Sequence, residues 1–142
     1  MKKIFSQDGK TLLHIICRRD DLEIIQKDQF GRVDVAPDDQ FLQVAALQLN
    51  EGKTFKPHKH IFKEGPKEII AQESWVVIKG SVKAILYDLE DQIVSEEILN
   101  EGDLSMTFRG GHNYIALSAN TFVYEFKTGP YLGQALDKKF IE

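Results

Sequence analysis

Residues 52–80 read GKTFKPHKHIFKEGPKEIIAQESWVVIKG, and this stretch says more about the chain than any other. It contains His58 and His60, two positions apart in a segment with the character of a strand. Side chains at positions i and i+2 of a strand point to the same face. Two imidazoles on one face can bind the same metal ion, but two ligands alone bind it weakly. The pattern therefore predicts further ligands on other strands.

Glu73 is the first candidate for such a ligand. It begins a predicted strand and shares a face with Trp75, where a carboxylate is costly to bury unless a partner such as a metal ion compensates its charge. Gln72 is an alternative to Glu73, and Glu64 and Glu68 are weaker ones.

His112 is the second candidate. It follows Gly110 and Gly111, which allow the backbone to turn tightly and to approach a ligand closely. Taken singly, each of these residues could be an ordinary loop or strand-surface residue. Their order along the chain strengthens the interpretation that they bind one metal ion together.

That order resembles the two signatures of the cupin superfamily. The matching residues are Gly52, His58, His60, Glu73 and Gly80 for the first signature, and Gly102, Gly110 and His112 for the second. The resemblance implies that His58, His60, Glu73 and His112 bind one divalent metal ion, either Fe, Mn, Ni or Zn. It also implies an all-β fold, a double-stranded β-helix or jelly-roll barrel with the metal inside. The spacer at residues 61–72 is longer than in the family pattern and predicts an extended hairpin.

The spacing of short apolar runs and turn residues also predicts a sandwich or barrel. The predicted strands cover residues 12–17, 42–49, 53–62, 74–79, 82–87, 93–98, 105–108, 114–117 and 121–126. We expect a single domain over residues 1–142, with outer strands or an arm at 1–40, the barrel at 41–127 and a tail at 128–142. One or two helical turns are predicted at 20–26 and a short C-terminal helix at 133–139.

Composition limits the function classes. The net charge is −4, with no long basic run, so neither nucleic acid nor a membrane surface is an expected partner. Cys17 is the single cysteine, and neither a secretory signal nor a membrane-spanning run is apparent, which predicts a cytoplasmic protein. Edge-strand pairing through residues 1–40 would give a homodimer.

Other side chains share strand parity with the predicted ligands and could line the cavity: Lys56, Trp75, Lys79 and Tyr114. Lys56, Tyr114 and Glu125 are the candidates for a catalytic base. His14 is expected to be a hydrogen-bonded structural histidine.

We expect a metal-dependent cupin that acts on a small, oxygen-rich metabolite such as a sugar or keto acid, with the metal as Lewis acid or redox centre. An isomerase or epimerase would need a positioned base, whereas a dioxygenase would need a redox metal. The alternative is a cupin that binds a small sugar or acid without catalysis. A looser likeness connects the chain to small cupins of surface-polysaccharide biosynthesis.

Overall fold

Short strands separated by tight turns make up most of the chain. The computed structural model describes residues 1–22, 30–63 and 69–142. Its strands are β1 (Lys2–Phe5), β2 (Leu12–Ile16), β3 (Phe30–Asp34), β4 (Leu42–Leu49), β5 (His58–His60), β6 (Phe62–Lys63), β7 (Ile69–Ile70), β8 (Glu73–Lys79), β9 (Val82–Tyr87), β10 (Ile93–Leu99), β11 (Leu104–Thr107), β12 (Gly111–Ala116), β13 (Thr121–Thr128) and β14 (Lys138–Phe140). A short helix, α1 (Gln134–Asp137), precedes β14, and a 3-10 turn spans Arg19–Asp21. The predicted all-β class is confirmed.

Two antiparallel five-stranded sheets carry the architecture. The first sheet has the order β10-β9-β12-β5-β14, and the second has the order β11-β8-β13-β4-β3. Strands that neighbour each other in these sheets are often far apart in sequence, so the chain crosses repeatedly between the sheets. Two small hairpins, β1-β2 and β6-β7, stand outside them. No helix among the described residues is long and apolar enough to cross a membrane.

The two sheets bury one apolar core between them. Its members come from both sheets, and they are Ala45, Leu47, Leu49, Trp75, Val77, Val82, Ala84, Tyr114, Ala116 and Val123. These core residues occupy alternate positions of their strands, as side chains on one face of a strand do. Trp75 of the second sheet stacks on Tyr114 of the first, with ring centroids 4.1 Å apart and planes 11° from parallel. Both rings also adjoin the polar residues of the interior, since Trp75 Nε1 bonds Glu73 and the Tyr114 ring lies 5.4 Å from that of His112.

Two predicted elements need correction. Residues 53–57 are not part of a strand, apart from a single bridge between Thr54 and Ile115. The predicted C-terminal helix at 133–139 is wrong for Lys138 and Lys139, which belong to β14. There the edge of β5 offers backbone hydrogen-bonding groups, and pairing with them outweighs the local helical pattern.

Other predictions meet the limits of the described residues. The hairpin predicted for the long spacer has its two arms in β6 and β7, which pair antiparallel, whereas its turn at 64–68 lies outside the described residues. Of the helical turns predicted at 20–26, the described part forms the 3-10 turn, and 23–29 lie outside the description.

The glycine pair before β12 lets three strands approach one another. Gly110 has a φ of +81°, and a Cβ atom there would clash with the backbone carbonyl oxygen of Tyr87. At Gly111 a Cβ would meet the side chain of Ile141 and lie 3.1 Å from the carbonyl oxygen of His58. These glycines therefore allow the first residues of β12 to lie directly against β5 and β9.

We expect Gly110→Ala to lower the free energy of unfolding by about 2–4 kcal/mol, because backbone strain and a steric clash both act there. Gly102→Ala is the matched control, since Gly102 also has a positive φ (+90°) but has open space around its Cβ position. The control should cost only about 1–2 kcal/mol, from strain alone. Urea unfolding of both variants measures the difference, and equal losses would contradict the close-approach argument.

Candidate metal centre

Four side chains from the two sheets meet at the polar end of the interior. His58 and His60 come from β5, His112 from the adjacent β12, where it lies directly opposite His58, and Glu73 from β8 in the facing sheet. All four are at most 7% exposed. One potential ligand atom from each lies within 4.8 Å of those of the others. The strand alternation thus brings together residues that are 54 positions apart at the extremes, from 58 to 112.

Each imidazole is held through its Nδ1 atom. His58 Nδ1 donates to the carbonyl oxygen of Lys56 at 3.2 Å, and His60 Nδ1 donates to the carbonyl oxygen of Asp137 at 3.3 Å. His112 Nδ1 lies 3.1 Å from Thr107 Oγ1. Such partners fix the ring orientation and the tautomer, so that the lone pair of Nε2 is available for a metal ion.

Glu73 completes the cluster with both of its carboxylate oxygens. Oε2 lies 3.3 Å from His60 Nε2, and Oε1 lies 3.2 Å from His112 Nε2. Oε1 also accepts a hydrogen bond from Trp75 Nε1 at 3.1 Å. Gln72, the alternative to Glu73, is exposed, whereas Glu73 is buried.

The donor set fits a divalent metal ion. Within the described ranges, His58 Nε2 is buried without a hydrogen-bond partner, which is costly for a polar atom, and His112 Nε2 has only the Glu73 carboxylate beside it. Three imidazole nitrogens and one carboxylate suit Fe, Mn, Ni or Zn. Neither of the weaker alternatives, Glu64 and Glu68, lies within the described residues.

A cavity of about 530 Å³ opens beside the cluster. Its walls include three of the four predicted ligands, His58, Glu73 and His112. An aromatic wall is formed by Phe30, Phe55, Trp75 and Tyr114. The charged side chains around it are Arg32, Asp34, Asp38, Lys56, Glu125, Lys127 and Lys138. This volume is that of a site for a small molecule.

Solved structures share this arrangement of sheets. KdgF from Halomonas sp. matches with a TM-score of 0.61 at 18% identity, over 78% of this chain and 91% of that one. The capsular polysaccharide assembling protein CapF from Staphylococcus aureus matches with a TM-score of 0.69 at 15% identity, over 84% of this chain and 34% of that one. The chain has the cupin fold.

Oxalate decarboxylase from Bacillus subtilis also shares the cupin fold, with a TM-score of 0.59 at 18% identity over 79% of this chain and 27% of that one. The present chain thus spans about a third or less of the length of CapF and of the decarboxylase. No protein-family model and no curated protein matches the sequence. The predicted jelly-roll architecture is confirmed, and at these identities the likeness concerns the fold alone.

The cavity of the cupin barrel is lined by all three candidate bases, Lys56, Tyr114 and Glu125. Tyr114 is buried, and its hydroxyl lies 2.7 Å from Ser105 Oγ. Burial raises the pKa of Tyr114 above its ordinary value, so it stays protonated at neutral pH. Lys56 places its ammonium group 5.0 Å from the centre of the Phe140 ring.

Glu125 is the buried carboxylate that faces the cavity from β13. Its Oε1 lies 3.0 Å from Nη2 of Arg32, whose Nε is 2.8 Å from Asp34 Oδ1. Burial and the nearby Glu73 raise the pKa of Glu125, and the Arg32 guanidinium opposes that rise without cancelling it. Sequence reasoning missed Arg32, which lies in the polar segment before the barrel and on a strand that was not predicted.

Asp137 is a second residue that sequence reasoning missed. Its side chain is fully buried, with Oδ2 3.2 Å from His60 Nδ1 and 3.1 Å from Lys127 Nζ. Lys63 Nζ lies 3.4 Å from Oδ1. Burial would raise the pKa of Asp137, but the contacts with His60 and Lys127 outweigh it and lower the pKa. Asp137 thus connects the C-terminal segment to a predicted metal ligand.

The two histidines of β5 have opposite electrostatic environments. Burial, reinforced by His112 and Lys138, lowers the pKa of His58 to about 3. At His60 burial acts in the same direction, but hydrogen bonds to Asp137 and Glu73 outweigh it and raise the pKa to about 9. Because a metal ligand must be deprotonated, metal binding would release the His60 proton.

The structure also corrects the expectations for Lys79 and His14. Lys79 is exposed and does not line the main cavity, because the inward face of β8 ends before it. His14 is exposed on the β1-β2 hairpin opposite Ile4, and its side chain makes no hydrogen bond with the described residues, which corrects the prediction of a hydrogen-bonded structural histidine.

Proposed function

We propose that this chain is a metal-dependent cupin acting on a small, oxygen-rich metabolite of the sugar or keto-acid class. The observation that carries the proposal is the set of three imidazoles, each held through Nδ1, which converge with Glu73 beside the cavity of about 530 Å³. A metal ion bound there would supply Lewis-acid or redox chemistry. The protein supplies the ligands, the orientation of each ring and a largely water-excluding wall.

Glu125 is the residue that we propose for proton transfer. It faces the same cavity and lies directly opposite Trp75 in the pairing of β13 with β8, two positions along β8 from Glu73. A buried carboxylate with a raised pKa can hold and release a proton nearer to neutral pH than an exposed one. Arg32 fixes its orientation at 3.0 Å. This pairing of a metal centre with a positioned acid–base group supports an isomerase or epimerase more than an oxygenase.

The fold neighbours add modest support. One is named for the assembly of capsular polysaccharide and another for the decarboxylation of oxalate, and each matches this chain over about a third or less of its own length. A fold carries many chemistries, however, and the residues of this site remain the basis of the proposal.

The first experiment measures metal and then turnover. The chain should be purified without a histidine tag and its metal content determined by elemental analysis. Samples loaded with Fe, Mn, Ni or Zn are then incubated with a panel of sugars, sugar acids and keto acids, and proton NMR follows their conversion. We expect bound metal at about one ion per chain and conversion of at least one panel member.

Glu125→Gln is expected to slow that conversion by about a hundredfold or more, because general acid–base groups contribute factors of this size. Its metal content should stay unchanged, since Glu125 is not in the ligand cluster. The exposed Glu90→Gln is the matched control and should behave as wild type. Absence of bound metal would overturn the proposed function. Metal with tight ligand binding and no conversion would instead establish the non-catalytic alternative.

The single domain over residues 1–142, the homodimer and the cytoplasmic location stay predictions from the sequence. The proposed function does not depend on any of these three predictions.

A further inference from the structure

Lys138 lies beside the metal ligands on the edge strand of the first sheet. In the pairing of β14 with β5, Lys138 is directly opposite His60, and Phe140 is opposite His58. Residues directly opposite each other in an antiparallel pair point to the same face. Lys138 accordingly lines the same cavity as His58 and is half-buried.

The other cations around the cavity already have partners. Arg32 and Lys127 each contact a carboxylate, at 3.0 and 3.1 Å, and Lys56 lies over the ring of Phe140. Lys138 makes neither an ion pair nor a hydrogen bond with the residues that the structure describes. Lys138 is therefore a cavity-lining cation that no carboxylate contacts directly; Glu73, Glu125 and Asp137 act on its charge only from a greater distance.

The charge of the metal-loaded site also favours an anionic ligand. A divalent ion held by three neutral imidazoles and Glu73 keeps one positive charge. Lys138 adds a second positive charge in the same partly buried space. Because uncompensated charge is costly away from water, a ligand with a carboxylate would be favoured there over a neutral one.

We propose that Lys138 is the anion-recognition residue of this site, and that the ligand is a small carboxylic acid, either a keto acid or a sugar acid, whose carboxylate pairs with the Lys138 ammonium group. The inference rests on the proposed function, because the metal charge is part of the argument. It narrows the substrate class from oxygen-rich metabolites in general to acids. Neutral sugars are thereby expected to be poor ligands.

The test compares acids with their neutral esters. Manganese-loaded protein is titrated by calorimetry with pyruvate and galacturonate, and with the methyl ester of each. We expect at least one acid to bind and its ester to bind about tenfold or more weakly. Lys138→Gln should weaken binding of the acid about 10- to 100-fold, the range for a hydrogen bond to a charged group, and should leave ester binding unchanged. Lys138→Arg, which keeps the charge, should lose only a few-fold.

Lys139→Gln is the matched control. Lys139 is the next residue of β14, is exposed, and pairs with Lys59 rather than with a metal ligand, so acid binding should be unaffected. The manganese content of every sample is measured as well. A wild-type protein that holds no metal would overturn the proposed function.

Three results obtained with normal metal content would overturn the inference alone. They are equal affinity for acid and ester, no binding of either acid, and undiminished acid binding by Lys138→Gln. The acid-to-ester ratio of the wild type requires no substitution, so it can still overturn the acid preference if Lys138→Gln fails to fold.

Discussion

Alanine in place of His112 is expected to reduce metal affinity by more than about a hundredfold while the barrel stays folded. Loss of a residue that merely orients a ligand already costs about 10- to 100-fold, and loss of a ligand costs more. The fold should survive because the core between the sheets is built from apolar side chains and includes none of the four predicted ligands. Elemental analysis after dialysis measures occupancy, and far-ultraviolet circular dichroism measures the fold.

The chain offers matched controls for this experiment. His14→Ala removes an exposed histidine from the β1-β2 hairpin and should leave metal content unchanged. Glu73→Ala should lower occupancy, whereas Gln72→Ala should not, because Glu73 is buried beside the histidines and Gln72 is exposed. Full occupancy in His112→Ala, or a loss that follows Gln72, would show that the ligand assignment is wrong.

Asn in place of Asp137 is expected to lower the free energy of unfolding of the metal-free protein by about 3–5 kcal/mol. The substitution removes the carboxylate that Lys63 and Lys127 share, and these side chains are only 8% and 10% exposed. Two ammonium groups would then be left in a largely dry environment without a counter-charge. Urea unfolding in the presence of a chelator measures the loss, with the exposed Asp39→Asn as the control.

The pH dependence gives a separate test of the same carboxylate. The pKa of Asp137 is lowered in the folded state, from an ordinary value of 3.8, so its charged form stabilises the fold at pH values above 3.8. That contribution is lost as the pH falls from 3.8 through the lowered pKa. The stability difference between wild type and Asp137→Asn should therefore be largest between about pH 4 and 6.5 and shrink in strong acid. It should also shrink as the pH rises from 6.5 to about 9, because His60, whose pKa Asp137 helps to raise, then loses its proton. A difference that grew in acid would contradict the assigned role.

The barrel strands could be predicted because their pattern is local. The bounds of β4 and β9 agree with the predicted ones, since apolar alternation and the flanking turn residues both lie within a few positions. His58 and His60 were recognisable for the same reason, as a pair with the period of a strand. Glu73 and His112 were predicted from their positions relative to the glycines of the two cupin signatures that the sequence resembles.

The C-terminal part of the site could not be predicted, because long-range pairing determines it. Asp137 and Lys138 lie in a stretch whose local pattern favours a helix, and the strand β14 forms by pairing with β5, nearly 80 residues earlier in the chain. Arg32 was not predicted for the same reason, because its strand β3 forms by pairing with β4. Single-sequence periodicity contains no information about which distant edge a short segment will join.

The hydrogen bond from the indole of Trp75 to Glu73 gives this barrel an intrinsic optical reporter. Trp75 is the single tryptophan of the chain, so its fluorescence comes from one place, next to a carboxylate of the cluster. Paramagnetic ions such as manganese quench a nearby excited indole, whereas closed-shell zinc does not. The emission of the unlabelled protein could therefore follow the arrival of an ion and distinguish these two metals in one cuvette.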